Sequence, residues 1–132
     1  MVKVLITGGA GYLGSTLTDF LLRNGYHVDV MDNLMYEQTS LLHMCHEDNF
    51  NFINHDVTDF HALENMIPNY DVIIPLAAIV GGPACDANKE LATKINFQQI
   101  KCIVDNLEEN QKLIMPNTNS QYGSSKDTIK PQ

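Results

Sequence analysis

Basic residues are scarce: eight Lys and Arg stand against sixteen Asp and Glu, a formal net charge of −8 in 132 residues. So few cations offer no broad surface for the phosphate backbone of nucleic acid or for an anionic membrane, and neither is an expected partner. Cysteine is sparse as well. Cys45, Cys85 and Cys102 are odd in number, far apart and without a CxxC pair, which excludes a disulfide framework and a zinc ribbon. Reduced thiols in a cytoplasmic protein are the expectation. No apolar run approaches the ~20 residues of a membrane helix, and the apolar start Val2 to Ile6 breaks at Thr7-Gly8-Gly9. Repeats and low-complexity tracts are missing too. What is present is 44% hydrophobic and 18% charged residues, the composition of a globular chain, at the length of one domain.

Periodicity organises that domain. Val2 to Thr7 is a β-branched run ended by glycines, as in a buried parallel strand. Tyr12 to Asn24 places Leu13, Leu17, Phe20 and Leu21 on one helical face, with Gly25 at the expected stop. His27 to Met31, Phe50 to Ile53, Asp71 to Leu76 and Lys112 to Met115 supply four more strands. Between them, Glu37 to His46 reads as a poorly periodic helix, and Asp59 opens a better one with Phe60, Leu63, Met66 and Ile67 on a face. One long helix, 86–108, carries Leu91, Ile95, Ile100, Ile103, Val104 and Leu107. Five strands alternating with helices imply a doubly wound α/β fold, a parallel sheet in the order 3-2-1-4-5 with its crevice at the carboxyl ends of the strands.

The chemistry concentrates in Thr7-Gly8-Gly9-Ala10-Gly11-Tyr12-Leu13-Gly14, which satisfies both GxGxxG (Gly9, Gly11, Gly14) and TGxxGxxG (Thr7, Gly8, Gly11, Gly14). Placed between a strand and a helix, such glycines permit a tight turn and bring a pyrophosphate close to helix N-terminal amides. Backbone N–H groups and the helix dipole provide the local positive field, so the acidic net charge is no obstacle. Asp32 follows Gly14 by 18 positions and ends the second strand, where a carboxylate accepts from both adenosine ribose hydroxyls of NAD. NADP is disfavoured, because Asn33, Leu34 and Met35 offer no cation for a 2′-phosphate. No Gly-Lys-Ser/Thr follows the glycines, which excludes a Walker A loop. His43 and His46 share a helical face without a third ligand, so no metal is expected; His27, His55 and His61 read as isolated.

These residues resemble the NAD-dependent epimerase/dehydratase family, extended short-chain dehydrogenases with a Rossmann fold that act on nucleotide sugars. The resemblance spans essentially the whole chain. It rests on TGGAGYLG, on Asp32-Asn33-Leu34, and on Asp56-Val57 after the third strand, which it places against adenine. It continues through Leu76-Ala77-Ala78 after the fourth strand, beside the cofactor, and Asn96 in the long helix, as a support of the site. Thr118 to Gly123 matches S/T-x-x-x-Y-G, which gives Thr118 the substrate-facing hydroxyl. With Gly8, Gly11, Tyr12, Leu13 and Gly14 at the glycine turn, these complete the implied cofactor contacts. Pro75 departs from the pattern, standing where many members carry His. The resemblance also implies a homodimer through helix 86–108, with Ile100, Ile103 and Leu107 as interface candidates.

The family's catalytic pair is a YxxxK on a downstream helix, in which Tyr moves the proton and Lys lowers its pKa. A literal YxxxK occurs at Tyr122 to Lys126, but Tyr122 follows Thr118 by only four residues and matches the tyrosine of the S/T-x-x-x-Y-G segment instead. A catalytic helix would have to fit between Ser124 and Lys130, about 10 Å before Pro131, below a stable length. The expectation is therefore an N-terminal, incomplete NAD-binding part of a nucleotide-sugar epimerase or dehydratase that stops before its acid–base residue and substrate domain. It would bind cofactor without turnover. The alternative is a noncatalytic NAD(H)-binding module sensed by a partner protein.

Overall fold

A computed structural model of the chain describes residues 1–118. Five parallel strands form one sheet in the order β3-β2-β1-β4-β5: β1 Lys3–Thr7, β2 His27–Asp32, β3 Phe50–Asn54, β4 Val72–Pro75 and β5 Lys112–Leu113. The fold is the doubly wound Rossmann arrangement that strand and helix alternation implies. Register is direct, Val4 opposite Val28 and Val72, Ile6 opposite Val30 and Ile74.

The two-residue period of the strands divides the core. Val4, Ile6, Val28, Val30 and Ile74 face one side, where Leu17, Leu21 and Leu22 of α1 (Tyr12–Arg23) cover them with Leu41 and Met44. Leu5, Met31 and Ile73 face the other, beneath Leu63 of α2 (Phe60–Met66), Ile67, Ile95 and Ile103. Each fully buried Leu or Ile contributes roughly 1.5–3 kcal/mol of transfer free energy. The glycine after α1 behaves as its position implies. Gly25 sits at φ +80, and its amide and that of Tyr26 return to the Leu22 and Leu21 carbonyls, a Schellman closure that keeps α1 from running on.

Several local expectations are corrected. The face of α1 turned to the sheet is Gly14, Leu17, Thr18, Leu21 and Leu22, whereas Leu13 and Phe20 are 56% and 60% exposed. Gly14 and Thr18 pull the buried stripe toward small side chains because the helix packs close to the turn below it. The stretch 37–46 contains only a 3₁₀ turn, Leu42–Met44, consistent with its poor periodicity. Helix 86–108 is not one element. A short α3 (Gly82–Ala87) ends at Asn88, whose side chain accepts from the Leu91 amide at 3.0 Å and so caps a new start. From there α4 (Lys89–Thr93) continues through a π turn, Lys94–Gln98, into α5 (Gln99–Asp105). Ile103 is fully buried in this chain's own core, so it is not available to a partner copy. β5 is shorter than its apolar run, although the Ile114 amide still reaches the Ile73 carbonyl. The cysteines are free thiols.

Candidate functional site

At the carboxyl end of β1 the chain must turn sharply into α1, and the glycines fit the space available. Gly8 adopts φ +70, and a Cβ there would lie 2.5 Å from the Ala77 amide nitrogen. A Cβ on Gly14 would lie 2.5 Å from the Gly9 Cα. The turn after β1, the loop after β4 and the first turn of α1 are thus interlocked backbone to backbone. Gly11 is the N-cap of α1, and no side chain caps it among the described residues. The amides of Tyr12, Leu13 and Gly14 therefore begin the helix without intrahelical acceptors, the arrangement that attracts an anion.

Asp32 closes β2 and is 8% exposed. Its Oδ2 accepts from the Ala10 amide at 3.0 Å and its Oδ1 from the Leu34 amide at 2.8 Å, so one carboxylate ties the glycine turn to the loop after β2. Each oxygen retains a lone pair. Leu34 turns through φ 54, a left-handed conformation uncommon for a branched residue, held by that bond to Asp32. The Ser40 hydroxyl donates to the Ala10 carbonyl at 2.6 Å, tying the far end of this loop to the same turn.

Asn33 donates to Asp56 Oδ2 at 3.2 Å, linking the end of β2 to the end of β3. Partial burial pushes the Asp56 carboxyl up, but the Thr58 amide and hydroxyl, at 2.8 and 2.7 Å, prevail with Asn33 and nearby His55, and hold it below the usual carboxylate value. After β4, Asn96 clamps Ile79 twice: its Nδ2 donates to the Ile79 carbonyl and its Oδ1 accepts from the Ile79 amide, both at 2.8 Å.

Gly8, Gly11, Asp32, Asn33, Asp56, Val57, Leu76, Ala77 and Ala78, picked from sequence at the ends of four strands, line one cleft. Tyr12, Leu13, Gly14 and Asn96 do not line it; the first three form the helix start behind the turn and Asn96 acts on its wall through Ile79. Thr118 follows β5, is exposed, and its amide donates to Asn117 Oδ1; it lies outside that lining. Tyr122 and Lys126 lie outside the described residues.

Sequence reasoning missed the outer wall, where Met35, Tyr36 and Gln38 rise from the loop after β2. Gln38 carries a buried Oε1 with no hydrogen-bond partner among the described residues. His55, read as isolated, lines the cleft and meets Asp59 Oδ2 at 2.8 Å. His43 approaches Asp19 at 3.9 Å and His46 pairs with Glu47. Among the described residues no three His, Cys, Asp or Glu side chains gather as a metal site, and no helix is long and apolar enough to cross a membrane.

Residues 4–132 match the model of the NAD dependent epimerase/dehydratase family. A UDP-N-acetyl-alpha-D-glucosaminuronate decarboxylase of Bacillus cytotoxicus is 30% identical over 122 residues, covering 92% of this chain and 38% of that protein. UDP-glucuronic acid decarboxylase 1 of Danio rerio is 45% identical over 58 residues, 43% of this chain and 14% of its own. Among solved structures, the UDP-glucuronic acid 4-epimerase of Bacillus cereus, crystallised with UDP-glucuronic acid and NAD, superposes with a TM-score of 0.83 at 24% identity. That match covers 98% of this chain and 44% of the epimerase. The chain spans less than half the length of each of these relatives.

Proposed function

The chain belongs to the NAD dependent epimerase/dehydratase family, and from that premise we propose that it is the NAD-binding part, residues 1–132, of a nucleotide-sugar epimerase or dehydratase. The observation that carries this reading is the convergence of the glycine turn after β1, Asp32 at the end of β2 and Asp56-Val57 after β3 on one cleft at the carboxyl ends of the sheet. The cleft also passes a chemical test for the cofactor: its floor excludes side chains at Gly8, and the helix above it begins uncapped.

In this reading the amides at Tyr12, Leu13 and Gly14 hold the pyrophosphate, and Gly8 and Gly11 let it approach. The lone pairs left on Asp32, with Asn33 beside it, accept the adenosine ribose hydroxyls. Asp56 and Val57 border the adenine, and Leu76, Ala77 and Ala78 line the remainder of the cofactor path, with Asn96 fixing the loop at Ile79. Bound NAD+ supplies a hydride acceptor for a sugar carbon. Thr118 presents its hydroxyl to the reacting sugar oxygen, and the proton is left to a tyrosine that is not Tyr122. The substrate is a sugar carried on a nucleotide, the class named for the relatives above. The homodimer that the family resemblance implies is kept here only for exposed positions of 89–105, not Ile103.

The test is a titration of the purified chain with NAD and with NADP, repeated on Asp32→Ala and Asp32→Asn. NAD is expected to bind more tightly, since a 2′-phosphate would meet the Asp32 charge. Loss of the charged acceptor should weaken NAD about 10- to 100-fold, on ~1.5–3 kcal/mol for hydrogen bonds to a charged group. Tighter binding of NADP, or Asp32→Ala with unchanged NAD affinity, rejects the role assigned to Asp32.

A further inference from the structure

Gln99 is a fully buried primary amide at the head of α5, 0% exposed, in a position with no sequence signal. A buried amide costs free energy unless its donors and acceptor are engaged, and here they are. Its Oε1 accepts from the Thr7 hydroxyl at 2.6 Å, and its Nε2 donates to the Ala77 carbonyl at 3.0 Å and to the Ile95 carbonyl at 2.9 Å. The third bond follows from the π turn. The Gln99 backbone amide reaches back to Lys94, and its side chain takes the Ile95 carbonyl that an α turn would have given that amide. The other two ends are the residues that flank the interlocked turn: Thr7 immediately precedes Gly8, and Ala77 is the residue against which Gly8 packs. The Thr7 hydroxyl also lies 3.5 Å from the Ala77 amide, so both polar groups of Ala77, at the edge of the cleft, are engaged in one network.

We propose that Gln99 is a positioning residue for the cofactor: by holding the Thr7 hydroxyl and the Ala77 carbonyl it sets the loop after β4 against the glycine turn, in the place that receives the half of NAD remote from adenosine. This rests on reading the cleft as the NAD site. Asp32, Asp56 and Val57, which border the adenosine half, make no hydrogen bond to Gln99, so the two halves of the ligand should respond differently.

The experiment compares NAD with AMP, which occupies only the adenosine end, on the full chain and on Gln99→Leu, Thr7→Val and the double variant, each checked for folding by circular dichroism. Gln99→Leu is expected to weaken NAD about tenfold or more, the loss of one to two net hydrogen bonds, while AMP binding stays within about twofold. Thr7→Val should give a smaller loss in the same direction, and the double variant should bind NAD no worse than Gln99→Leu, because both changes break one network. Parallel loss of NAD and AMP would reveal a merely structural role, and unchanged NAD affinity would remove the role altogether; either overturns the proposal. Should Gln99→Leu not fold, Thr7→Val decides: NAD affinity equal to the unmodified chain overturns it. If the unmodified chain binds neither ligand, the cofactor reading itself falls, an outcome distinct from a failure of Gln99 alone.

Discussion

A single methyl group at position 8 would lie 2.5 Å from the Ala77 nitrogen and 2.6 Å from its Cα, on a residue already at φ +70. Neither obstacle is the end of a flexible side chain, so the backbone of β4's exit would have to move. Gly8→Ala is expected to cost about 2–4 kcal/mol, overpacking plus a left-handed alanine, and to abolish NAD binding; a denaturant titration checks the first and the NAD titration the second. The glycines and Asp32 were legible in the sequence because each is demanded by a local event, a strand ending in a turn, and its spacing survives in one dimension. Gln99 was not. Two of its three partners lie 92 and 22 residues away, and a glutamine inside an apolar helical stripe has no period that announces a buried network. The outer wall at Met35, Tyr36 and Gln38 was lost for a related reason: a loop shaped by Asp32 and a left-handed Leu34 has no repeat to read.

Among the elements, β2 and β4 are not neighbours, since β1 lies between them. The approach to β4 is nonetheless tied to β2 by the hydroxyl of Tyr70, two residues before β4, which donates to Asp29 Oδ2 at 2.6 Å, while His27 meets the other Asp29 oxygen at 2.9 Å. Burial, and then the Asp29 carboxylate, push the Tyr70 hydroxyl far above its ordinary value, so it remains a donor throughout the neutral and mildly alkaline range. Tyr70→Phe should lower stability by about 1.5–3 kcal/mol, the usual cost of losing a hydrogen bond to a buried charged acceptor, read as a fall in denaturant midpoint. Element types came through well where hydrophobic period and length agreed, as in β1, β2, β4 and α2. The long helix misled because Asp86-Ala87-Asn88 holds no glycine or proline to announce a break, and only the polar cap beneath Leu91 marks the new start. In α1 the stripe was offset because Leu13 and Phe20 flank the true contact face, which Gly14 and Thr18 share with Leu17, Leu21 and Leu22.

For the whole molecule the acidic balance has a thermodynamic consequence. Asp59 is held below its ordinary value by the Ala62 amide and by His55, Glu90 by Lys94, and Asp56 by the Thr58 and Asn33 bonds that outweigh its burial. A carboxyl depressed in the folded state binds fewer protons there than in the unfolded chain. Its contribution is therefore present above the ordinary values of 3.8 for Asp and 4.5 for Glu, and is lost as pH falls through the folded values. Urea midpoints should hold steady from pH 7 toward 5 and then drop as pH falls below about 4, and Asp56→Asn should make that drop shallower. A midpoint that rises on acidification would contradict the assignment.

The double clamp of Asn96 on Ile79 has one more consequence. A side-chain amide that both gives to and takes from the same residue imitates the pairing of a neighbouring strand. Ile79 belongs to no ladder, yet its N–H cannot exchange with solvent deuterium until Asn96 lets go. Its protection should therefore follow the opening of the α4, π turn and α5 segment that carries Asn96 rather than the breathing of the loop around it, so the cleft wall after β4 reports on the integrity of a helix packed behind it.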